Sequence, residues 1–96
     1  MRERIDELAQ IAECLKALGH PVRIRILQEL RGGRKCVSEL SERIGVSQTN
    51  LSQHLGLLRS YGWVRKRKKA LYVYYSLSDE GIVSVLERIH EIIYRP

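Results

Sequence analysis

A mainly α fold with one small β-hairpin, about five helices and a two-stranded wing, is predicted for this 96-residue chain by three features. Between Val37 and Tyr61, two short apolar periods are separated by Gly45-Val46-Ser47, the pattern of helix, turn and helix. After Tyr61-Gly62, two runs rich in β-branched, aromatic and long-stemmed residues flank Lys68-Lys69-Ala70, which is the pattern of a hairpin. Both ends of the chain carry apolar residues at helical spacing.

The chain is long enough for one domain, taken as residues 1–96, and a chain of this size buries only a modest core. Residues 1–30 hold five basic and five acidic groups, residues 31–77 ten and two, and residues 78–96 two and four. The net charge of +6 is thus concentrated in the middle of the chain. A basic centre built around a helix-turn-helix matches the electrostatic footprint of a nucleic-acid binder. No signal peptide is recognised, and no apolar run nears the roughly 18 residues of a membrane span, so a cytoplasmic protein without membrane contact is expected. Cys14 and Cys36 are too few for a disulfide framework and are expected as thiols. Paired carboxylates, a phosphate-cradling glycine loop and a nucleophile-base pair are all missing, so no catalytic residues are assigned and no enzyme is expected.

The first helix is expected from about Glu3 to Leu18, with Ile5, Leu8, Ile11, Ala12, Leu15 and Leu18 forming a wide apolar stripe. Gly19 stops it, and Pro21 takes the first position of the next helix, where its missing N–H costs nothing. In that second helix Val22, Ile24, Ile26, Leu27 and Leu30 turn inward, Arg23 and Arg25 outward, and Arg31 to Lys35 follow as a loop. Cys36 opens the third helix in a C-V-S-E variant of the capping box, with Glu39 reaching back to its N–H. A thiol at a helix N-terminus beside Arg34 and Lys35 sits in positive potential, which makes Cys36 the candidate thiol sensor; a small tolerated hydrophobe is the alternative. Cys14, on the first helix beside Ile11 and Leu18, needs only burial to explain it. Gly45 is placed in a left-handed C-cap, and Ser47 caps the fourth helix, whose Leu51, Leu55 and Leu58 face the core. The final helix is expected over about 79–94, capped by Ser78 and striped with Ile82, Val85, Leu86, Ile89, Ile92 and Ile93.

On the fourth helix, the face opposite the leucines shows Ser47, Gln48, Thr49, Ser52, Gln53 and, nearby, His54, with no carboxylate among them. Short donors and acceptors on the N-terminal half of an exposed helix suit base edges in a major groove, an ordinary solvent face being the alternative. The hairpin strands are read as Trp63 to Arg67 and Leu71 to Ser76. The run Arg65, Lys66, Arg67, Lys68 and Lys69 directly follows the helix-turn-helix and reads as a wing expected to lie along the phosphate backbone or minor groove and to supply affinity rather than sequence choice, a merely solvated tip being the alternative. Of Tyr72/Tyr74 and Val73/Tyr75, one pair faces the core. The terminal helices, about 3–18 and 79–94, have apolar faces too wide for free surface helices, which predicts a homodimer built from both, mutual cover within one subunit being the alternative.

The whole chain resembles the ArsR/SmtB family of winged-helix repressors. LKALGHPVRIRILQEL is similar to that family's L-x-H/D-P-x-R-L-x-I-L second helix, CVSELSERIGVSQTNLSQHLGLLRSYGWV to its helix-turn-helix and VYYSL to its wing strand. The resemblance implies a homodimeric transcription factor, usually a repressor, that binds double-stranded DNA at an inverted-repeat operator and is released by a signal. The family's metal positions are not filled. Ser38 stands where the second thiol of a C-x-C site would be, and Asp79 is joined by Gly81, Ile92 and Arg95 where the interfacial zinc site needs ligands. No metal and no cofactor are therefore assigned. The family branch that senses reactive sulfur uses a cysteine pair, but Arg95 stands at the place of the second cysteine, leaving a one-thiol switch at Cys36. At the wing tip Ala70-Leu71 replaces a frequent Gly-Arg, which shifts phosphate contact to Arg65 through Lys69. The competing functions are a nonspecific chromatin-type binder and a winged-helix protein-interaction module.

Overall fold

The structure is a computed structural model that describes residues 4–95, so the expected start of the first helix at Glu3 lies outside the described residues. The elements in chain order are α1 (Ile5–Lys16), α2 (Pro21–Glu29), a 3-10 turn (Leu30–Gly32), β1 (Lys35–Cys36), α3 (Val37–Ile44), α4 (Gln48–Ser60), β2 (Val64–Lys69), β3 (Tyr72–Leu77) and α5 (Ile82–Ile93). This is a winged helix-turn-helix of five helices. The sheet has three strands rather than two, in the order β1-β3-β2, all antiparallel.

The core sits where α2, α3, α4 and the sheet meet. Ile26, Leu27, Leu40, Leu51, Leu55 and Leu58 are wholly buried there, joined by Leu30, Val64 and Tyr75. Tyr75 and Val73 turn inward while Tyr72 is exposed, so the Val73/Tyr75 pair is the one that faces the core. Such apolar burial, at about 25 cal/mol per Å², is the main force holding so small a fold. Polar ties then fix the elements against one another. Glu29 on α2 accepts from Arg43 of α3 at 2.7 Å and pairs with Arg25 at 3.0 Å. Trp63 donates its indole Nε1–H to the Cys14 carbonyl at 2.8 Å and so ties α1 to the body.

Several local expectations differ from what the chain adopts. α1 ends at Lys16 with Ala17 as its cap, two residues before Gly19. Arg23 does not point outward: its Nε donates back to the Ala17 carbonyl, clamping the α1–α2 corner. Ser78 does not cap α5. Its hydroxyl donates to the Trp63 carbonyl at 3.0 Å, and Asp79 Oδ1 accepts from the Gly81 N–H at 2.6 Å, so the helix begins only at Ile82.

Candidate nucleic-acid interface

The α3–turn–α4 unit is set by two residues whose local chemistry dictates their conformations. Gly45 occupies the left-handed region at φ 84°, which lets its N–H return to the Ser41 carbonyl at 2.8 Å and ends α3. Ser47 is extended, and its Oγ accepts from the Asn50 N–H at 3.1 Å to open α4. With the three leucines inward, Gln48, Thr49, Ser52 and Gln53 are all exposed, and α4 contains no acidic residue. Asn50, which the leucine-opposed pattern leaves out, adds an exposed carboxamide to the same first turn.

His54 departs from this group. At 100° per residue it lies about 160° around the helix from Ser52, on the side that faces α2. There its ring lies 4.4 Å from that of His20, and its Nδ1 is 3.3 Å from Arg23 Nη1. A guanidinium only donates, so Nδ1 is the acceptor and the ring is neutral. Burial, then His20 and Arg23, hold its pKa below the ordinary 6.5. His54 thus braces α4 against α2 instead of standing among the groups open to a groove.

The wing run divides between two faces, because cross-strand partners share a side. Arg65 opposite Ser76, Arg67 opposite Tyr74 and Lys69 opposite Tyr72 occupy the outer face. Lys66 opposite Tyr75 and Lys68 opposite Val73 lie on the core-facing side, yet are exposed on β2, the outer strand of the sheet. The strands are joined through Ala70-Leu71, with Ala70 at φ 55°, a conformation that glycine adopts without strain. Among the described residues none of the five cations pairs with a carboxylate.

Cys36 is half-buried at the junction of wing and helix-turn-helix. It is the N-cap of α3 and also pairs with Tyr74 through β1. Glu39 Oε1 accepts from its N–H at 3.2 Å and from its thiol at 3.1 Å, and Ser38 Oγ lies 3.1 Å from the sulfur. Those two donations hold the Glu39 carboxyl below its ordinary pKa. Cys14 is half-buried on α1, and the two thiols are not bonded. Among the described residues, no three metal-ligating side chains are grouped.

Residues 20–66, from the cap of α2 to the start of the wing, match the model of the bacterial regulatory protein arsR family. A biofilm growth-associated repressor of Xylella fastidiosa is 35% identical over 92 residues, spanning 95% of this chain and 81% of its own length. The chain belongs to the arsR family of bacterial regulators. The transcriptional activator HlyU of Vibrio cholerae is 37% identical over 92 residues, covering 96% of this chain and 85% of that protein. Its reduced form superposes with a TM-score of 0.77 at 36% identity, over 95% of each chain. A homodimeric winged helix-turn-helix DNA-binding domain from Mycobacterium bovis gives a TM-score of 0.81 at 27% identity, covering 97% and 90% of the two chains. As an arsR-family member this chain is a DNA-binding transcriptional regulator and not an enzyme. Among the described residues no helix is long and apolar enough to cross a membrane.

Proposed function

We propose that this arsR-family regulator works in the cytoplasm as a homodimeric repressor of an inverted-repeat operator, released when a thiol-reactive species modifies Cys36. The observation that carries the DNA reading is the acid-free exposed face of Ser47, Gln48, Thr49, Ser52 and Gln53 beside the unpaired cations Arg65 to Lys69. The helix residues read bases, each good contact contributing about 1–3 kcal/mol of discrimination, and the cations hold phosphates. Dimerisation is supported by the uncovered apolar faces of α1 and α5. Ile5, Ile11, Leu15, Val85, Ile92 and Ile93 are all exposed in the single subunit, where α1 and α5 flank an apolar hollow of about 350 Å³. A second copy related by a two-fold axis covers both stripes and sets two recognition helices apart for two half-sites.

The release reading is supported by the place of Cys36 at the junction of β1 and α3. A polysulfide donates one sulfur to the Cys36 thiolate and leaves shortened by that atom, while the thiol proton passes to solvent. The enlarged group displaces Glu39 from the capping box and presses on the β1–β3 pairing, so both DNA-contacting elements shift together. The test is an anisotropy titration of a duplex from the protein's own upstream region against a scrambled duplex, with reduced and polysulfide-treated protein. Preference for the native duplex, lost on treatment but kept in Cys36→Ser, is the expected result, and Gln53→Ala should weaken native-duplex binding alone. Equal affinity for both duplexes would reassign the protein as a nonspecific binder, and no binding would favour a protein-interaction module.

A further inference from the structure

The short strand β1 brings a residue from outside the wing onto the wing's outer face. Cys36 pairs with Tyr74, which pairs with Arg67, so these three form one row across the sheet. Continuing that register by one residue puts Arg34 in the row of Ser76 and Arg65. The Arg34 guanidinium lies over the Tyr74 ring, 4.6 Å from its centroid. Stacking on an aromatic ring fixes the guanidinium plane and leaves its N–H edge for another partner. Among the described residues no carboxylate pairs with Arg34, Arg65, Arg67 or Lys69; of the two acids equally near Arg34 in sequence, Glu29 is held by Arg25 and Arg43 and Glu39 is turned to Cys36. Four cations crowded on one face repel one another, a cost that a polyanion on that face removes.

We infer that the outer face of the three-stranded sheet binds the phosphate backbone of duplex DNA, and that Arg34, held by Tyr74, is a phosphate-contacting residue. This rests on the DNA-binding reading above and extends it to a residue far from the recognition helix in sequence. Duplex is favoured over single-stranded nucleic acid because the tyrosines do not form a continuous stacking platform: Tyr72 is exposed, but its neighbour is capped and the two rings are not parallel. Arg34 covers Tyr74, and the Tyr72 and Tyr74 rings lie 6.3 Å apart and tilted by 45° to each other.

The test is the salt dependence of anisotropy for the wild type, Arg34→Ala, Arg34→Lys and Tyr74→Leu on the native upstream duplex, a scrambled duplex and an oligo-dT strand. Arg34→Ala should lower affinity for both duplexes by the same severalfold factor and reduce the slope of log K against log salt by about 0.9, the loss of one phosphate contact. Arg34→Lys should keep the slope, and Tyr74→Leu should reduce it in part. An unchanged slope in Arg34→Ala, with only the melting temperature lowered, would reduce Arg34 to a cover for Tyr74 and overturn the inference. A loss confined to oligo-dT would overturn the choice of duplex. Wild-type protein that prefers the native duplex while Arg34→Ala keeps its slope sinks this inference alone, whereas wild-type protein that binds no duplex sinks the DNA reading with it.

Discussion

Protonating His54 breaks its contact with Arg23, because Nδ1 is the atom that faces the guanidinium. Its folded-state pKa is depressed, so the unfolded chain binds the proton more readily. Stability from this site is therefore complete above the ordinary pKa of 6.5 and is lost as pH falls below that value toward the folded pKa. Thermal melts from about pH 7.5 down to about pH 5 should show this decline, and His54→Gln, which keeps an acceptor but cannot charge, should flatten it. An identical decline in the variant would place the acid sensitivity elsewhere. At this scale the sequence was legible where a residue's role depends on its immediate neighbours. Ser47 as cap, Gly45 as left-handed stop and Leu51, Leu55 and Leu58 as core all follow from spacing. His54 and Arg23 were misplaced because each is claimed by a residue on another element or across a corner, a competition that no local pattern records.

The helix-turn-helix was readable as a unit for the same reason: both of its boundaries are capped by adjacent residues. Ser47→Ala removes the acceptor for the Asn50 N–H and should cost about 1 kcal/mol of stability. Because α4's first turn carries Gln48 and Thr49, the fraying should also weaken native-duplex binding more than scrambled-duplex binding. Chemical denaturation and anisotropy together check this, and a stability loss without any change in preference would detach the first turn from base reading. The hairpin was also visible, from its alternation and composition. β1 was not, since a two-residue strand after Gly32-Gly33 has no periodicity of its own and exists only by pairing with Tyr74 and Tyr75 beyond α3, α4 and β2. The start of α5 was misread because Ser78 and Asp79 look like cap residues in sequence, while Trp63 supplies the carbonyl that captures Ser78.

For the whole molecule, the apolar stripes on α1 and α5 are the feature that a single subunit leaves unresolved. Val85 and Ile89 are 60% and 43% exposed, so acidic residues there should leave the fold intact and oppose association. Val85→Asp/Ile89→Asp should sediment as a monomer with an unchanged circular dichroism spectrum and should bind a full palindrome no better than a half-site. A double variant that still sediments like the wild type would remove α5 from the dimer interface. One consequence of the strand order extends beyond DNA. β2 is an outer strand of the sheet, with one row of backbone groups left unpaired, and its side chains from Arg65 to Lys69 are all cationic. Charge on an open strand keeps copies of the chain from adding to one another edge to edge. The residues proposed to hold phosphates should thereby also oppose edge-to-edge association. Replacing Arg65, Arg67 and Lys69 by neutral, strand-forming residues should produce a protein that aggregates as well as one that fails to bind. Glutamate at those positions should abolish binding while leaving the strand edge protected.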